Sequence, residues 1–106
     1  MATLIIHAPQ GKAEQEGKRS FRRTIELSIG EGYAIPKAYA GRLGRGDKVV
    51  VLSKDESRRA EGTLVKLMQN GETQTGMKRY DVHMENVKEV AYKPEPLGRT
   101  GVSVIL

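Results

Sequence analysis

The sequence predicts a mostly β fold of the α+β class, a small antiparallel β-barrel carrying one short helix. Three observations predict it. The segment "KVVVLS" at 48–53 is apolar and β-branched on both faces of an extended chain, as a strand buried on both sides requires. Short alternating segments flank it, separated by turns rich in Gly, Pro and Asn at the spacing of a small barrel. Most of these connections are too short for a crossover helix, so antiparallel neighbours should dominate.

The chain of 106 residues has room for one domain, expected to span residues 1–106. Its 38% hydrophobic and 29% charged residues place it among globular rather than disordered chains. It has no cysteine, which excludes disulfides and thiolate metal sites. The start "MATLIIHAP" shows no cationic leader, and its apolar run is too short for a signal peptide or a membrane span. The expectation is a cytoplasmic protein without membrane association that folds alone or as a small oligomer, the monomer being favoured.

Thr3 to His7 reads as a first short strand, and the polar stretch "APQGKAEQEGKRS" after it as a loop. In "FRRTIELSI", Ile25, Leu27 and Ile29 alternate with polar residues and predict a half-buried strand, with a helical turn as the alternative. "GEGY" should interrupt it. Pro36 suits the first turn of a helix, Ile35, Tyr39 and Leu43 recur every fourth residue, and Gly44 suits the position after its end, so a helix is expected over about 35–43.

The tripeptide Arg45-Gly46-Asp47 also occurs in adhesion motifs, but here it leads directly into the apolar strand and reads as a turn. "KDESRR" is a polar connection, and "AEGTLVKLM" a strand whose Gly62 suits a bulge or a close backbone approach. "QNGETQTG" carries two turn signals and pairs Leu64–Met68 with Met77–Met84 as a hairpin. In the second of these strands Tyr80, Val82 and Met84 form the core face, while Asp81, His83 and Glu85 face water. "NVKEVAY" continues as a strand after a bend at Asn86, "KPEPLGRTG" is a loop, and "VSVIL" is a last strand.

The residues offer little for catalysis. Asp81, His83 and Glu85 share one strand face, but side chains two positions apart stand about 7 Å apart, too wide for a closed metal site without ligands from elsewhere. His7 has no partner in sequence, there is no Gly-x-Ser-x-Gly elbow, and "GRLGRG" lacks the Lys-Ser/Thr ending of a phosphate loop and precedes a strand. The reading is of a protein that is not an enzyme and needs no metal or other cofactor.

Charge is more informative. The net charge is +5, and through Ala60 twelve Lys/Arg stand against seven Asp/Glu, whereas six of each follow. Basic residues gather around aromatics: Arg22 and Arg23 beside Phe21, then Lys37, Arg42 and Arg45 around the helix with Tyr39, then Lys54, Arg58 and Arg59. Arginine forks and lysine point charges suit phosphates, and an exposed ring, Tyr33 or Tyr39, suits a stacked base. Nucleic acid is the expected partner, with these ten residues as the candidate interface.

The run "AIPKAYAGRLGRGDKVVVLS", with "AEGTLVKL" and "RYDVHMENVKEVAYKPEPL", resembles the PUA-like superfamily, particularly its EVE and ASCH branches. The matching positions are Leu43, Gly46 and Asp47 at the turn, Val49 to Val51, Gly62, and Pro94 to Leu97. The resemblance implies a small barrel that recognises RNA, or a modified base in DNA, in a pocket between barrel and helix. The chain has no Trp for a strong aromatic cage, and its N-terminal third lacks the family pattern. "YAIPKAYAGRLGRGDKVVVL" is also similar to the AbrB-type swapped-hairpin element, which implies a dimeric DNA-binding regulator, although the connection from Leu43 to Gly46 is shorter than usual there. A protein-interaction adaptor is the third reading.

Overall fold

Val49 to Leu52 lie in β3 (Lys48–Ser53), an interior strand of a six-stranded sheet, and all four are fully buried. The structure, a computed structural model, describes residues 2–8, 21–53, 57–95 and 101–106. The loops expected at 9–20, 54–56 and 96–100 lie outside the described residues. The other strands are β1 (Thr3–His7), β2 (Ile29–Ala34), β4 (Arg58–Glu72), β5 (Lys78–Val90) and β6 (Val102–Ile105). Among the described residues two short helices, α1 (Phe21–Leu27) and α2 (Lys37–Ala40), accompany them.

The strand order is β2-β5-β4-β3-β1-β6. The β4–β5 hairpin closes at Thr73–Gly76, where the Thr73 amide donates to the Met77 carbonyl at 2.7 Å and Gly76 takes φ 86°. As expected, most pairings are antiparallel, but β1 runs parallel to β3, from Thr3 opposite Lys48 to His7 opposite Leu52. The segment from α1 to α2 fills the long connection that a parallel pair requires.

The sheet curls into a half-barrel with β2 and β6 as its edge strands. Curling brings β2 across to β1. The Tyr33 hydroxyl donates to the His7 carbonyl at 2.9 Å, and a side chain at Gly30 would meet Ile6 Cδ1 at 2.6 Å. The inner face gathers Leu4, Ile6, Val49, Val51, Leu64 and Val82 with Phe21, Tyr33 and Ile35. Ile5, Val50 and Leu52 form a second buried cluster, because alternation along β1 and β3 sends them to the opposite face.

Three expectations need correction. Residues 21–27 form a helix, not a strand: Phe21 and Thr24 are buried and Ile25 packs beside them, an i, i+3, i+4 stripe, whereas Leu27 is 46% exposed. "GEGY" does not interrupt structure; it belongs to β2, whose bulge is held by Asp81 Oδ1 accepting from Gly32 N at 2.9 Å and by Arg79 donating to Gly32 O at 2.8 Å. The helix expected over 35–43 is regular only at 37–40. Gly41 rather than Gly44 stands at its C-cap, and Ile35 is buried before its start while Tyr39 is 41% exposed.

Asn86, at φ 55°, bends β5 without ending it. Opposite that bend the β4–β5 register shifts at Gly62, where an added Cβ would lie 2.8 Å from Val87 Cγ2 and 3.2 Å from the Glu85 carbonyl oxygen. Backbone cannot yield as a side-chain tip can. Gly62→Ala is therefore expected to cost about 1–3 kcal/mol, read as a lower denaturant midpoint at unchanged slope. An unchanged midpoint would mean that β4 and β5 do not approach this closely. Among the described residues no helix is long and apolar enough to cross a membrane.

Candidate nucleic-acid interface

The Gly-Asp turn is a structural device. Asp47 Oδ2 accepts from the Gly44 amide at 2.9 Å and Oδ1 from the Ala2 amide at 3.3 Å, while Gly46 adopts φ 98°. The Asp47 carboxylate is thus committed to the chain's own backbone, bracing the turn back to Gly44 and across to Ala2. The turn is also tied to β4: Leu64 N donates to Asp47 O at 2.7 Å and Gly46 N to Leu64 O at 2.9 Å. At the other end of the segment, Ile35 N donates to Lys78 O at 3.3 Å. α2 and its following turn are therefore held to the sheet at both ends.

Between this wall and the β4–β5 hairpin lies a cleft of about 430 Å³. Ala40, Gly41, Leu43 and Gly44 line it from the wall, Leu64 and Leu67 from β4, and Tyr80 from β5. A bulge in β4 explains the apolar floor. Leu64 pairs with Met84 and Lys66 already with His83, so the extra residue shifts the alternation and lets both Leu64 and Leu67 pack on the core. Lys37, Lys66 and Lys78 complete the lining, all exposed, and no carboxylate among the described residues belongs to it.

The candidate residues from the sequence divide sharply. Lys37 lines the cleft, and Tyr39, Arg42 and Arg45 are exposed on the wall beside it, with Arg45 drawn to Glu85 at 4.0 Å. Tyr33 is 2% exposed and its hydroxyl is bound to His7, so it presents no ring for stacking. Arg22 pairs with Glu26 at 2.9 Å and Arg23 with Glu31 at 2.7 Å. Arg58 forks onto Glu89 at 3.0 and 2.8 Å and lies 4.6 Å above the Phe21 ring. The hydrogen bond from Arg58 holds the Glu89 carboxyl below the usual range.

Arg59 is buried, bound to Glu61, Glu95 and the Lys93 carbonyl. Burial alone would lower the pKa of its guanidinium, but the bonds and charges of Glu95 and Glu61 outweigh that and raise it. The hydrogen bond from Arg59, aided by Lys48, in turn holds Glu61 below the usual carboxylate range. Lys54 lies outside the described residues.

Lys66, Lys78 and Tyr80 did not stand out in the sequence. Nothing local distinguishes them; the visible signal was the hairpin, which sets β5 beside β4 so that Lys66, Lys78 and Tyr80 come to border one cleft. Asp81, next to His83, is engaged with Gly32 and Asn70, and among the described residues no group of three or more His, Asp or Glu is placed to hold a metal ion.

No protein-family model, curated protein or solved structure matches the chain.

Proposed function

We propose that this chain is a non-enzymatic nucleic-acid-binding module that takes RNA, or an unstacked or modified base, at the cleft between α2 and the β4–β5 hairpin. The observation that carries the reading is the gathering of Lys37, Lys66 and Lys78 around an apolar, tyrosine-bearing floor with no carboxylate in the described lining. An apolar floor accepts a base face, and ammonium groups serve phosphates as point charges. Arg42 and Arg45, exposed on the adjoining wall, extend the positive track. The resemblance to PUA-like proteins favours the same location and, with it, membership of the half-barrel in that superfamily.

The test is a binding panel of single-stranded RNA, single-stranded DNA and modified-base duplex at two salt concentrations. Affinity should fall steeply with salt, because each neutralised phosphate releases counterions. A Lys66→Ala/Lys78→Ala variant should lower the slope of log affinity against log salt by about 1.4, at about 0.7 per single-strand phosphate contact. Arg58→Ala, whose fork is spent on Glu89, should leave that slope unchanged. Absence of binding to every ligand at low salt would sink the reading and favour a protein adaptor. Preference of a dimer for a palindromic duplex would favour the AbrB-like alternative.

A further inference from the structure

Resting on the nucleic-acid reading, we infer that the cleft is selective for a strand end, holding a terminal nucleotide by its phosphomonoester. The first ground is size. About 430 Å³ falls within the roughly 300–1,000 Å³ of small-molecule sites and matches the size of one nucleotide. The cleft is also bounded by two walls held together by backbone bonds, Ile35 to Lys78 and Asp47 to Leu64, so it does not widen without breaking them.

The second ground is charge. Three lysines border this cleft, and among the described residues none of the three has an ion-pair partner. An internal nucleotide offers phosphodiesters carrying one charge each. A terminal phosphomonoester carries about −1.5 to −2 near pH 7, and with the neighbouring diester approaches the three positive charges of the cleft. The neutral face of the same nucleotide meets Leu64, Leu67 and Tyr80, so base and phosphate are both accommodated.

The experiment compares one single-stranded RNA sequence in three forms, with a 5′-phosphate, with a 3′-phosphate and with hydroxyls at both ends. One phosphorylated form is expected to bind the parent protein at least tenfold tighter than the hydroxyl form. In Lys37→Met and Lys78→Met variants, checked for parental melting temperature, that ratio should fall toward one while residual salt-sensitive binding persists. A nucleoside monophosphate should likewise raise the melting temperature of the parent where the nucleoside alone does not. Equal, salt-sensitive binding of all three RNA forms would overturn the strand-end inference and leave the broader reading standing. No binding of any form would overturn both.

Discussion

Val50→Asp is expected to abolish the folded state at room temperature. Val50 is 1% exposed and belongs to the cluster with Ile5 and Leu52, on an interior strand paired on both sides. A carboxylate there either stays charged in an apolar site or takes up a proton and remains an unsatisfied polar group; the effective penalty is several kcal/mol. Domains of this size have about 5–15 kcal/mol in total. Val50→Ala separates the charge from the lost volume: it should remain folded with about 2 kcal/mol less stability, from missing apolar surface and a small cavity. Circular dichroism and thermal melts read both variants. A Val50→Asp protein that melts like the parent would show that this face of β3 meets water.

That strand was legible because its signal is local: four β-branched or apolar residues in a row need no knowledge of distant partners. The β4–β5 hairpin was legible for the same reason, with Gly71 and Gly76 supplying left-handed turn positions. Segment 21–29 was not. Over so few residues the alternation of Ile25, Leu27 and Ile29 competes with the 21, 24, 25 stripe, and only packing decides, burying Phe21 and Thr24 and leaving Leu27 in solvent. β2 was hidden because "IGEGYA" has little intrinsic strand preference; its pairing with β5 and the bonds from Asp81 and Arg79 make it a strand.

The site was legible only on one wall. Lys37, Arg42 and Arg45 stood out in a basic segment, whereas Lys66 and Lys78 lie in the half of the chain whose charges balance, and folding brings them to the cleft that Lys37 also lines. The arginines at 58 and 59 were misleading for the converse reason. Their carboxylate partners Glu89 and Glu95 are 31 and 36 residues away, so a basic cluster in sequence becomes a set of ion pairs in space.

The Arg59 cluster should therefore govern stability rather than binding. Its side chain is 6% exposed; Nε and one terminal nitrogen grip Glu61 at 3.0 and 2.9 Å, and the other nitrogen reaches Glu95 and the Lys93 carbonyl, both at 2.9 Å. Those bonds tie the segment after β5 to β4. Arg59→Ala leaves two partly buried carboxylates facing each other's field, and is expected to cost about 3 kcal/mol, the low end for breaking a buried pair because Glu61 retains some solvent. At roughly 4–8 °C per kcal/mol the melting temperature should fall by at least about 12 °C. Arg59→Lys should not restore it, since a single ammonium cannot serve both carboxylates and a carbonyl in the geometry of a planar fork. Replacing the charges together, Arg59→Met with Glu61→Gln and Glu95→Gln, should recover much of the loss, because no unpaired charge then remains buried. Acid provides an independent reading of the same cluster. Glu61 has a folded pKa below its unfolded value, so between the two values the unfolded chain binds more protons and stability rises with pH. Its contribution is complete above the ordinary glutamate pKa of about 4.3 and is lost as pH falls through the lower folded value. Arg59→Ala should make that acid decline shallower without removing it, because Lys48 still lies 3.2 Å from Glu61. A variant that melts within a degree of the parent and loses stability in acid just as steeply would overturn this assignment, and would return Arg59 to the surface as a candidate for phosphate.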